Sequence, residues 1–351
     1  GAAPDVRGWR GRGAVRGRFR HGAGDAVFAG GLAFVFQAAL PPFGPIRQRT
    51  GKSRVFPYLR VRGAHSGGPA GDRRERGLAA ADSEYIVFLD SDDALRPGAL
   101  QAALDAQNAA PNSFVCWHYT TDENDTAPVT AAAETRPQSG LARLWLDCLL
   151  AMPWNKLYRT AYAQQVQFDR QYTLGEDLQF VLDYVELLGK ITPDFAYTAL
   201  TAPLTFYDCS RGGTLSTRYH ADYCKIWPEH FAKLNKACCN ARCPQEDMRP
   251  LHRAELTVFA EGVADILRRD PAKSARVRRD KAIAALRSPW MHALLERMKI
   301  EGAYSAYYLP CRWHSTRLIW ALAEAKRTGS PLYGKLDWAG YYLLRGKMRR
   351  D

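Results

Sequence analysis

At 351 residues, with 46% hydrophobic and 24% charged side chains, the chain has the composition of a globular protein with room for one large domain or two ordinary ones. Its formal charge of +13 is concentrated: residues 1–80 hold 15 basic against 4 acidic side chains, which leaves +2 for residues 81–351 and removes net charge as an argument for a nucleic-acid partner. Eight cysteines lack the spacing of a disulfide framework, and no apolar run reaches the ~20 residues that span a bilayer.

Residues 1–50 alternate Arg and Gly with neither a helical nor a strand period, the composition of a disordered or non-native-like segment. A strand is expected over 55–61, then a Gly-rich loop over 65–71 and a helix over 72–81. Tyr85-Ile86-Val87-Phe88-Leu89 is five large apolar residues in a row, the pattern of a strand buried on both faces in a parallel sheet. Asp90-Ser91-Asp92-Asp93 follows where that strand ends, the position at which open α/β sheets bind ligands. Carboxylates two apart suit a hard divalent cation, although the same run could be a polar turn capping the next helix.

Beyond it the spacing predicts a helix over 97–107, a strand over 113–121, a long polar connection over 122–139 and an amphipathic helix over 141–152. Pro153-Trp154-Asn155-Lys156-Leu157-Tyr158-Arg159 mixes aromatic and polar groups as core segments seldom do. Glu176 and Asp177 open a helix with the stripe Leu178, Val181, Leu182, Val185 and Leu188, where the macrodipole favours negative charge whether they act or merely cap. Two strands are expected over 194–200 and 203–207, a polar loop over 209–219, and helices over 251–269, 272–287, 291–299 and 313–327. Cys238, Cys239 and Cys243, with Cys224 and His252, contain no C-x-x-C pair, which argues against zinc. The basic and aromatic end, 332–350, fits a solvated helix or a membrane-surface contact.

Taken together, these segments resemble the family 2 glycosyltransferases of the GT-A fold, in their bacterial capsule and exopolysaccharide branch. The resemblance rests on Gly67-Gly68-Pro69-Ala70-Gly71 through Arg76-Gly77-Leu78, Tyr85 through Asp93, Trp154 through Arg159, Gly175-Glu176-Asp177 and Thr214-Leu215-Ser216, in that order over about 55–220. It implies an α/β fold, a Rossmann-like mixed sheet flanked by helices with a C-terminal helical region, divided as 1–50, a catalytic 51–220 and a helical 221–351. It further implies that Asp92 and Asp90 bind Mn²⁺ or Mg²⁺, that Asp90, Asp92, Asp93 and Lys156 hold the nucleotide-sugar donor, and that Trp154 and Asn155 line the sugar or acceptor side. Asp177 would be the general base, with Glu176 beside it, in an inverting transfer to a glycan or lipid-linked acceptor. The expected setting is cytoplasmic or peripheral to the inner membrane face.

One departure stands out. The family's N-terminal elements, a strand ending in Pro-x-Tyr-Asn and a later Asp-Asp-Gly-Ser, are not visible in residues 1–54, and the Arg/Gly-rich composition there would suit a high-GC gene read out of frame. The alternatives are therefore a catalytically impaired relative lacking the nucleotide-binding N-terminus, or a basic protein that binds nucleic acid or membrane surfaces.

Overall fold

The computed structural model describes residues 34–38, 70–90, 93–122, 125, 129, 132–169, 171–172, 174–208, 218–331 and 333–339. The expected strand at 55–61, most of the Gly-rich loop, Asp92, the 214–216 loop and the basic end from 340 onward lie outside these residues, as does most of the 1–50 segment.

Within them the chain forms a mixed α/β sheet flanked by helices and followed by a helical region, as its sequence pattern implies. The elements run β1 (Phe34–Ala38), α1 (Ala70–Ala79), β2 (Tyr85–Leu89), β3 (Ala94–Leu95), α2 (Ala99–Ala109), β4 (Ser113–Thr120), β5 (Ala133–Pro137), α3 (Leu141–Leu146), β6 (Lys156–Arg159), α4 (Thr160–Ala163), α5 (Glu176–Ile191) and β7 (Ala196–Phe206). The helices α6 (Tyr223–Asn240), α7 (Gln245–Arg269), α8 (Ala275–Leu286), α9 (Pro289–Glu301), α10 (Tyr308–Arg312) and α11 (Thr316–Arg327) follow.

The strand order is β1-β2-β6-β4-β7-β3, with β5 also paired to β7. All five residues of β2 are buried, as their unbroken apolar run requires. Their neighbours correct one expectation: β1 and β6 both run antiparallel to β2, and the parallel pair among the described strands is β4 with β7. A continuous apolar run reports burial on both faces, and helices on both sides of the sheet bury this strand whatever its neighbours' direction.

Side chains alternate across the pleat. Ile86, Phe88, Phe114, Cys116 and Tyr158 face a core completed by α5, α6 and the start of α7, while Tyr85, Val87, Val115, Trp117 and Leu157 face α2 through Ala99, Ala103 and Leu104. A separate cluster joins the later part of α7 to α8, α9, α10 and α11.

Several boundaries differ from the sequence pattern for physical reasons. The two strands expected over 194–207 are one, β7, whose register against β4 jumps from Leu200↔Trp117 to Pro203↔His118. Pro203 has no N–H for the ladder with β4, while on the other edge Thr201 N–H extends the pairing with β5 by bonding Ala132 O at 3.1 Å. β5, expected as polar connection, is an edge strand with mostly exposed side chains. The helix α6 carries Pro228 inside it, and α7 begins before Pro250, so reading proline as a boundary hides the first and shortens the second. The mixed segment 153–159 is core after all: Trp154, Asn155, Lys156, Leu157 and Tyr158 are all buried.

Candidate active site

The site begins where β2 runs out. Rigidly packed on both faces, the strand delivers Asp90 to its C-terminal end with a half-buried side chain, and a tight turn returns Asp93 N–H to Asp90 O at 3.1 Å. Asp93 is buried and its Oδ1 accepts the backbone N–H of Asp208 at 3.0 Å. That bond ties the acidic turn to the end of β7, so Asp93 supports the site from beneath.

The second acidic pair comes from α5. Gly175, just before the helix, has φ +79°, and a Cβ there would lie 2.3 Å from His230 Nε2 on α6. Only glycine accepts both the left-handed backbone and that approach. His230 is buried and donates from Nε2 to Leu174 O at 2.8 Å, while its Nδ1 accepts from the Gln179 side chain. Burial lowers its pKa, with the Leu174 bond opposing, which suits a neutral ring holding one donor and one acceptor. The helical region thereby fixes the loop that presents Glu176 and Asp177.

Between the two acidic pairs stands Arg74, on α1. Its side chain is 4% exposed; Nη2 meets Asp90 Oδ1 at 2.6 Å and Nη1 pairs with Asp177 Oδ1. Its guanidinium also lies over the Phe168 ring, 5.6 Å from the centroid, and Phe168 stacks on Phe180 of α5 at 4.1 Å. Burial disfavours the Arg74 charge, but Asp177 and Asp90 outweigh it and hold the side chain firmly cationic. Burial pushes the Asp177 carboxyl up to about 7, Arg74 opposes the rise, and Glu176 and Asp90 add to it. One buried cation therefore joins carboxylates that are 87 residues apart in the sequence, at the ends of a strand and a helix.

The remaining expected residues sit differently. Lys156, 1% exposed, bonds Asn155 Oδ1 at 2.6 Å and the Met152 carbonyl, and Asn155 Nδ2 donates to Trp117 O at 3.0 Å. Burial lowers the Lys156 ammonium to about 7, with Cys116 and Asp177 opposing. Lys156 is thus within electrostatic reach of Asp177 while it bonds the segment just before its own strand, and Asn155 ties that segment to β4. Trp154 stacks on Tyr207 at 5.4 Å and 13°, and Tyr119 stands edge-on to Trp154 at 5.2 Å. Tyr207 precedes Asp208, so this aromatic group adjoins the acidic turn.

Among the described residues no group of three or more His, Cys, Asp or Glu is placed to hold a metal ion. Of the three carboxylates after β2, Asp90 faces Arg74, Asp93 faces Asp208, and Asp92 is outside the described residues.

Sequence reasoning missed Arg74, and the signal was present. Arg74, Gly77, Leu78 and Ala81 are all buried, so the arginine occupies a position on the apolar stripe of its helix. An arginine there needs buried acidic partners.

Residues 60–167 match the family described as glycosyl transferase family 2. The matched segment carries Arg74, Asp90 and 154–156, and ends before Glu176 and Asp177. No curated protein sequence gives a significant match. Among solved structures, the chain is similar to S. aureus TarS 1–349 in complex with UDP-GlcNAc, at 16% identity and a TM-score of 0.42 over 76% of this chain and 74% of that one. A longer S. aureus TarS structure gives 16% identity and a TM-score of 0.40 over 74% of this chain and 43% of that one.

Proposed function

We propose that the chain is a glycosyltransferase that moves a sugar from a nucleotide-sugar donor to a glycan or lipid-linked acceptor with inversion at the anomeric carbon. The observation that carries this reading is the Arg74 bridge, which holds the acidic end of β2 and the acidic start of α5 on one guanidinium. The family match over 60–167, which includes two of the three bridged residues, supports it.

In this mechanism Asp177 accepts the proton of the acceptor hydroxyl as that oxygen attacks the anomeric carbon. A carboxylate within hydrogen-bond reach contributes typically about 10²–10⁴-fold. Arg74 holds Asp177 in place and keeps its anionic form accessible, and Asp90 anchors the other end of the guanidinium. Asp93 anchors the chain just after Asp90. Trp154, itself buried, backs the half-buried rings of Tyr119 and Tyr207, which offer phenol groups to a sugar. Asp92 and Asp90 have the hard oxygen donors that Mn²⁺ or Mg²⁺ prefers, and such an ion, when bound, neutralises charge on a departing diphosphate.

The test is a donor screen: purified protein, a panel of nucleotide sugars with and without Mn²⁺, and detection of released nucleoside diphosphate. Turnover with at least one donor, lost in Asp177→Asn, is the expected result. Turnover that survives Asp177→Asn unchanged would remove the general base from this scheme.

A further inference from the structure

The helical region holds a cavity of about 570 Å³ between α6, α7 and α9 that the transfer scheme does not use. Its volume falls in the range of small-molecule sites. We infer that it is a second binding site, for a hexose carrying a phosphate group.

The floor is polar and buried. Glu255 is 0% exposed; its Oε1 accepts from Asn235 Nδ2 at 2.7 Å, and among the described residues its Oε2 has no hydrogen-bond partner. A buried carboxylate oxygen is rarely left without a partner, and this one belongs to a residue that lines the cavity. Neighbouring groups are already committed. His252 reaches Asn235 Oδ1 at 3.1 Å through Nε2 and Glu301 Oε2 at 2.6 Å through Nδ1.

Three ligand chemistries can be compared at Glu255. An ammonium group would suit only the ionised carboxylate and would enter past Arg297 and Lys236, both cationic and both exposed at the mouth. An anion on the floor would suit only the protonated acid. A hydroxyl serves either form, donating to the carboxylate or accepting from the acid. The walls are apolar, with Met248, Leu294 and Trp290 available to the C–H faces of a sugar ring. At the mouth Lys236 and Arg297 provide two positive charges for an anionic substituent, and Arg297 Nη1 lies 3.4 Å from His252 Nε2, so its side chain leans over the cavity. Hydroxyls below, ring faces between and a phosphate above are the groups of a hexose phosphate. A metal ion is a poorer occupant, because no suitable cluster of ligands exists among the described residues. This inference stands on the cavity alone and does not depend on the transfer reaction.

Cys239 and Cys243 line the same cavity, whereas the exposed Cys148 lies elsewhere, which gives a direct assay. The full chain is labelled with N-ethylmaleimide, with and without millimolar glucose 6-phosphate, and each cysteine's rate is followed by peptide mass spectrometry. The expected result is labelling of Cys239 and Cys243 slowed several-fold, with Cys148 unchanged and with glucose alone or inorganic phosphate alone giving weaker protection. Arg297→Ala, at an exposed position, should abolish the effect while leaving the melting temperature near that of the parent. No protection by glucose 6-phosphate, equal protection by inorganic phosphate, or the same slowing at Cys148 would each overturn the assignment.

Discussion

Arg74 meets two carboxylates with one guanidinium, and the three side chains stand or fall together. Arg74→Met keeps most of the volume and the apolar stem but leaves Asp90 and Asp177 facing each other without a cation. Because both carboxylates retain some solvent contact, the expected loss of stability is modest, about 1–3 kcal/mol, and is read from denaturant unfolding. Activity should suffer more, and its pH profile separates positioning from folding. Asp177 must be ionised to accept a proton, so transfer should rise with pH through about 7, where burial has moved its carboxyl. Arg74 opposes that upward shift, so removing it should carry the rising limb of the profile to higher pH. An unchanged midpoint in Arg74→Met would mean that Asp177 is not the group being titrated. The acidic residues were legible in the sequence because short polar runs after an apolar strand stand out. Arg74 was not, since the arginines at 73, 74 and 76 read alike in the sequence, whereas on the helix Arg74 is buried and Arg76 exposed.

At the scale of elements, α5 is aimed by a contact with α6 that no local pattern announces. Gly175 at φ +79° reads in the sequence as an ordinary glycine before a helix, and His230 stands 55 residues later in a helix hidden by its own proline. Gly175→Ala should cost more than the ~1–2 kcal/mol of left-handed strain alone, because the new Cβ would lie 2.3 Å from His230 Nε2. His230→Ala removes the obstacle while losing the bonds to Leu174 and Gln179. The double variant should therefore be less destabilised than the two single losses combined, with the difference measured by a double-mutant cycle. Strict additivity would show that the two residues do not touch. Periodic helices such as α5 and α11 were readable because their faces are amphipathic. α6 and the start of α7 were not, because each carries a proline at its sixth residue, where a sequence pattern ends a helix but the chain continues with one intrahelical bond missing.

For the whole molecule, the sheet and the helices share a core, and this bears on where the chain can be divided. Composition and pattern shift near residue 220, which invites a boundary between a catalytic α/β part and a helical part. Yet Phe231, Leu234 and Cys238 of α6, with Met248 and Leu251 of α7, belong to the same buried cluster as Phe88, Phe114 and Tyr158 of the sheet. The later residues of that one 25-residue helix, from Leu256 to Ile266, belong to the other cluster. Burying a large apolar side chain contributes roughly 1.5–3 kcal/mol, so Phe231, Leu234, Met248 and Leu251 together approach the whole net stability of a domain, about 5–15 kcal/mol. A chain ending at residue 222 would also lose His230, and with it the contact that sets Gly175 and the acidic pair behind it. Such a fragment should show no cooperative thermal transition and should expose apolar surface to a hydrophobic dye, while the full chain melts cooperatively. A fragment that melts as sharply and as high as the full chain would establish that the sheet closes its core without α6 and α7, and the placing of Glu176 and Asp177 would then owe nothing to the helices beside them.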